Sequence, residues 1–174
     1  MGASLRDLGV YVMGAARYAT GRAPSTLQSR IRWNNGVDAF AGIEAEFSDF
    51  TYSADVSIRM HPYQEMLFHG EVGVICMSAP FNTRVFGEAL VELHTKALQV
   101  EIRRFPADTH YVLQVEAFAR ALRNGDGYPV SLEFSLSTQA MMDRVFAQAK
   151  TLYELPRFLA RGLVGMSVGG NEAG

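Results

Sequence analysis

A single cysteine in 174 residues excludes an intrachain disulfide and any cysteine-rich zinc site. That residue, Cys76, lies in the apolar run Val74-Ile75-Cys76-Met77, so it reads as a small buried hydrophobe rather than a nucleophile. A reducing, cytoplasmic setting fits. Lysine is almost as scarce: of the 16 basic residues only Lys96 and Lys150 are lysine. With a net charge of -2 and no basic stripe, the chain has no field to draw in nucleic acid or an anionic membrane. No apolar run approaches the roughly 20 residues of a membrane span. The stretch from Phe158 to Val168 is broken by Arg161, and Arg6, Asp7 and Arg17 fall where a signal peptide would keep a clean apolar core. Phosphate-cradling motifs are missing too. There is no G-x-G-x-x-G behind a strand, no G-x-x-x-x-G-K-[ST] and no G-x-S-x-G elbow, and Gly169–Gly174 ends the chain with no helix after it. His61, His69, His94 and His110 are scattered without metal-ligand spacing, so no metal site is expected. Spacing alone discloses no enzyme.

What is present is a globular composition, 48% apolar and 20% charged, enough for one domain with a real core. Residues 4 to 20 have helical period, with Leu8, Val12, Ala15 and Ala19 on one stripe, Ser4 and Asp7 as a capping pair, and Gly21 as the stop. Gly9 and Gly14 suggest that something packs closely on this helix. From Leu27 the pattern alternates, and Asn34-Asn35-Gly36 supplies a hairpin turn. Strands are expected at about 27–33, 37–47, 50–60, 65–69, 73–77, 88–94 and 98–104. Helical period returns with Tyr111, Val115, Phe118 and Leu122, closed by Asn124-Gly125, and again in a last helix that Ser137 could cap. The expected fold is α+β: an open, mostly antiparallel sheet of six or seven strands with helices packed on one face. Residues 1–155 form this domain, and 156–174 read as a partly disordered tail.

Several segments in order resemble the C-terminal domain of the glucose-fructose oxidoreductase, inositol dehydrogenase and rhizopine-catabolism (Gfo/Idh/MocA) family. Residues 1 to 21 are similar to its G-G-G-x-x-x-D-x-G-x-[HY] helix and the R-[YF]-x-x-G after it. Gly36-Val37-Asp38 and Phe68 to Ile75 resemble its strand entries. Tyr111 to Gly125 resembles its Y-x-x-Q-[VL]-x-x-F helix, and Tyr128-Pro129-Val130 with Ser135 to Ala149 its final helix region. The likeness spans about residues 1–150. It implies an open-sheet domain that binds substrate and pairs subunits, preceded in the family by a Rossmann domain that holds NAD or NADP and supplies a catalytic lysine from a Glu-Lys-Pro motif. That motif does not occur in this chain. The expectation is therefore a substrate-binding and oligomerisation domain, inactive alone and binding no cofactor. It would be a shortened chain, a separate fragment or half of a split enzyme. A non-catalytic assembly module derived from that domain is the alternative. Expected partners are a sugar, polyol or dihydrodiol substrate, a second copy in a dimer or tetramer, and a separate Rossmann domain.

The resemblance places Asp7 and Tyr11 at the family's active-site positions. At i and i+4 they share one helix face. Oxidation of a carbinol needs a group to take the hydroxyl proton. A phenol does so at neutral pH only beside a cation, which the family's lysine supplies, while the Asp orients substrate hydroxyls. Arg17 is a weaker candidate for substrate contact. Each residue also has a plainer reading: Asp7 as a cap partner, Tyr11 as packing, Arg17 as a salt-bridged surface residue. Trp33 reads as core or subunit interface. Phe134 stands where the family commonly has Asp.

Overall fold

The computed structural model describes residues 4–83, 85, 87–105 and 109–151, together with the backbone of Met166–Gly170. The chain opens with a π-helical turn, Leu5–Gly9, that runs straight into α1, Val10–Thr20. Three long strands follow: β1 Thr26–Asn34, β2 Val37–Glu46 and β3 Phe50–Ser57. Then come β4 Glu65–His69, β5 Gly73–Ser78, β6 Leu90–Thr95 and β7 Gln99–Arg104. Helices α2, His110–Asn124, and α3, Leu132–Ala147, precede two short strands, β8 Ala149–Thr151 and β9 Met166–Gly170.

The fold is α+β and mostly antiparallel, but the sheet is larger than the six or seven strands expected. Its order is β7-β6-β5-β4-β9-β3-β2-β1-β8. Two four-stranded groups are joined through β9, which lies antiparallel to β3 and parallel to β4. This strand falls in the stretch read from sequence as tail; residues 152–165 and 171–174 of that stretch lie outside the described residues. Alternation explains the first group. Phe50, Tyr52, Ala54 and Val56 point inward from β3 while Thr51 and Ser53 point out. Asn35 and Gly36 adopt φ of 50° and 76°, the paired left-handed turn that matches sheet twist between β1 and β2.

The core lies between β1–β3 and the α1–α3 pair. Leu5, Met13, Ala16, Ile31, Ala41 and Val145 are fully buried there. The Ser29 hydroxyl donates to the Val145 carbonyl at 2.6 Å and ties β1 to α3. The buried helix face is Leu5, Gly9, Val12, Met13 and Ala16; of the expected stripe Val12 is buried, Leu8 and Ala15 pack partly buried at the core's border, and Ala19 is exposed. The π turn inserts a residue and turns the register. At Gly9 a Cβ would stand 2.7 Å from Leu5 Cδ1 of the same helical segment and in ordinary contact, 3.6 Å, with Met142 of α3, so the tight approach comes from the π turn itself. Gly14 has nothing within 4 Å, so it marks no contact.

Two caps differ from expectation. Ser4 is buried, and its hydroxyl accepts from the Ile58 N–H at 3.1 Å instead of capping its own helix. The Leu5 N–H donates to the carboxylate of buried Asp38 at 2.5 Å, so the opening turn is capped from β2. α3 begins earlier than expected: Ser131, not Ser137, is its cap and accepts from the Phe134 N–H at 3.1 Å. α2 covers nothing. It has no buried residue, so helices α1 and α3 alone make the second layer among the described residues. Cys76 is half-buried rather than buried. Its thiol is pushed up by burial and by Glu65 and Glu92, which keeps it protonated.

Candidate functional site

Tyr11 sits on the exposed edge of α1, where its ring meets Phe81 at 5.4 Å between centroids with the planes tilted by 38°. The loop carrying Phe81 is fixed by Gln64, whose Oε1 accepts from the N–H groups of Phe81 (3.3 Å) and Asn82 (3.0 Å). Between this aromatic corner, α1 and the connection from β3 to β4 lies a cavity of about 190 Å³. Leu8, Val12, Val56 and Met60 supply apolar walls, and His61, Tyr63, Gln64 and Glu65 supply polar groups. The Tyr63 hydroxyl donates to Glu65 at 2.8 Å, and that bond holds the phenol above its usual range.

Asp7 does not line this cavity. Its π-helical turn displaces it from the α-helical row of Tyr11, and it borders a neighbouring depression with Asn34, Asn35, Val37, Ala39, Ile58 and Arg59. Ile58 borders both hollows. Single-turn π segments inside helices recur at functional sites, where they re-aim side chains. The Asp7 carboxylate is exposed and forms no ion pair among the described residues.

Arg17 lines neither hollow. It is 9% exposed and reaches into α3, where its guanidinium donates to the Phe134 carbonyl (3.2 Å), to the Ser137 hydroxyl (2.5 Å) and to Thr138. It also stacks over the Phe134 ring at 4.7 Å. Burial pulls its pKa down from the usual arginine value. The apolar residue at 134 thus serves as a platform for the guanidinium.

A larger concavity, about 640 Å³, lies on the sheet face away from the helices, among Gln28, Arg30, Arg32, Glu44, Ser53 and Asp55. Burial and the Glu44 charge push the Asp55 carboxyl up there. It is open sheet surface with mixed charge, and Asp55 borders both it and the Tyr11 cavity.

The starts of α1 and α3 do not fit a dinucleotide diphosphate. The Leu5 N–H at the start of the first is taken by the Asp38 carboxylate, which would repel phosphate, and the Phe134 N–H in the first turn of α3 by the Ser131 hydroxyl. No group of His, Cys, Asp and Glu among the described residues could hold a metal ion. No described helix is long and apolar enough to cross a membrane.

The sequence singled out Asp7 and Tyr11 but missed Tyr63, Gln64, Glu65 and Phe81. The signal available was the connection Ile58–Gln64, which is longer than a hairpin turn needs and carries His61 and Tyr63, the kind of loop that holds binding residues on a rigid scaffold.

No family model matches the chain. The architecture is one that solved oxidoreductases share. KijD10, a 3-ketoreductase from Actinomadura kijaniata solved with TDP-benzene and NADP, superposes with a TM-score of 0.70 at 20% identity, over 88% of this chain and 49% of that one. The Bacillus subtilis protein yvaA superposes with a TM-score of 0.64 at 12% identity, over 84% of this chain and 49% of that one. In sequence, the Rhizobium meliloti oxidoreductase ORF334 is 27% identical over 160 residues, which is 86% of this chain and 47% of the relative. The chain spans about half the length of each.

Proposed function

We propose that this chain is the substrate-binding and assembly half of an NAD(P)-dependent oxidoreductase acting on the CH–OH group of a sugar, polyol or dihydrodiol, with the nucleotide held by a Rossmann domain outside these residues. One observation carries the reading. Tyr11 walls a small, largely apolar cavity with Asp7 in the adjoining hollow, while the N–H that opens the nearby helix is held by the Asp38 carboxylate. In such a reaction the carbinol carbon gives up a hydride and its oxygen a proton. A nicotinamide held by the other domain would supply the hydride acceptor. Within this chain the cavity orients the substrate, and the Tyr11 hydroxyl stands where it can take or return the proton once a cation is brought beside it. Asp7 holds a substrate hydroxyl or that cation by a charge-assisted hydrogen bond. Arg17 is a positioning residue that keeps α3 against α1. KijD10 binding NADP and the oxidoreductase standing of ORF334 support the reading.

The assembly role rests on the second strand group. Val100 and Ile102 are exposed on one face of it and Ile75 and Leu93 on the other, apolar surface suited to a second copy in a dimer or tetramer. A non-catalytic assembly module is the second reading, favoured by Asp7 and Tyr11 lining separate hollows.

Titration of NAD(H) and NADP(H) against the chain, followed by nicotinamide fluorescence, tests the division of labour. No saturable binding is expected. Tight binding of either nucleotide would refute it.

A further inference from the structure

The cavity beside Tyr11, taken as the substrate site proposed for this chain, specifies more than a generic polyol, and its ligand preference depends on that role. Its volume, about 190 Å³, is that of a single ring site. An apolar cavity of roughly 150 Å³ lined by Leu, Ile and Phe holds one benzene. The walls here are the two rings of Tyr11 and Phe81 with Leu8, Val12, Val56 and Met60. The hydrogen-bonding side chains of His61, Tyr63, Gln64 and Glu65 come from one short segment, and Asp55 and Ser57 of β3 border the cavity as well. In that segment the Glu65 carboxylate is already engaged by the Tyr63 hydroxyl, and the Gln64 oxygen by two backbone N–H groups. The Gln64 NH2 and the free lone pairs of Glu65 are left for a ligand.

A hydroxyl pressed against an apolar wall loses its water without gaining a partner, which weakens binding by roughly tenfold each time. We propose that this cavity takes a cyclic alcohol or ketone with one ring face bare of hydroxyls. The bare face lies against Tyr11 and Phe81, and one or two oxygens are held by Gln64 and Glu65. A ring hydroxylated on every carbon is rejected.

The test is NMR titration of the isotope-labelled chain with cis-1,2-cyclohexanediol, whose two hydroxyls lie on one ring face, and, separately, with myo-inositol, following the aromatic signals of Tyr11 and Phe81. The diol is expected to shift both signals at concentrations at least tenfold below those needed with inositol. Phe81→Leu, which keeps an apolar side chain against the core, should weaken the diol and leave the remaining spectrum folded. Inositol acting on these signals as well as or better than the diol overturns the ring-face inference while leaving the substrate site in place. If neither ligand moves Tyr11 or Phe81, the inference and the site both fall. Diol shifts confined to other residues also overturn it.

Discussion

The two strand groups carry similar patterns and meet different fates. In β1–β3, every second side chain enters a core that α1 and α3 close, and Ile31, Ala41 and Tyr52 are sealed from solvent. In β4–β7 the alternation continues, yet only Met66 is fully incorporated, with Phe68 and Met77 packed at its border. Every residue of β7 is exposed, as is most of α2, whose Tyr111, Val115, Phe118 and Leu122 face solvent. The β6–β7 turn sets Ala97 and Leu98 at φ of 69° and 59°, with Leu98 97% exposed. Alternation dictates which side chains share a face; burial needs a second layer, and the described residues supply that layer for one group only. The first group is a scaffold that shapes the Tyr11 cavity, and the second leaves apolar surface uncovered among the described residues.

Truncations at matched apolar positions would break that contrast most sharply. Ile31→Ala should cost about 2–5 kcal/mol of unfolding free energy in a urea titration, and Ile102→Ala no more than about 0.5 kcal/mol in the dilute chain. Equal costs would mean that the second group is packed like the first. Arg17→Ala should come next, at about 2–3 kcal/mol, because it strips α3 of a charged donor to three acceptors. Arg17→Lys should recover little of this, since an ammonium cannot reproduce the fork or the stacking on Phe134.

Tyr52→Phe sharpens the comparison from the other side. The Tyr52 hydroxyl is buried with no hydrogen-bond partner, and burial drives its ionisation far above the usual range. Removing it should be neutral or stabilising by up to about 1 kcal/mol, unlike any other truncation in this core. The smallest effect is expected at Asp55. Burial and Glu44 raise its folded pKa, so the native chain holds that proton to higher pH than the unfolded chain. Stability is then lost as pH rises from the unfolded value through the folded one. Asp55→Asn should be more stable than the parent above that window and equal to it below, as read from urea midpoints across pH.

The scaffold was legible in the sequence because its signals are local. Alternation in β3, the Asn35-Gly36 turn and the Gly125 stop, where φ is 73°, each depend on a few neighbouring residues. What was not legible depends on contacts between distant residues. The π turn at Leu5–Gly9 answers to Asp38 and Met142, 33 and more residues away. The partners of Arg17 lie in α3, more than a hundred residues on, so the hydrogen bonds of a guanidinium weighed as a weaker candidate for substrate contact could not be read locally. β9 enters between β3 and β4 from the far end of the chain. Of the site, Asp7 and Tyr11 came from a resemblance, whereas the cavity wall at Phe81 came only from the fold.

Hydrogen exchange measured at low and high protein concentration tests most directly whether the second strand group is an assembly surface. The amides of β1–β3 should be protected at both concentrations, while those of β6, β7 and α2 should exchange readily when dilute and become protected on concentration. Protection of β6, β7 and α2 equal to that of β1–β3 in the dilute monomer would contradict the account.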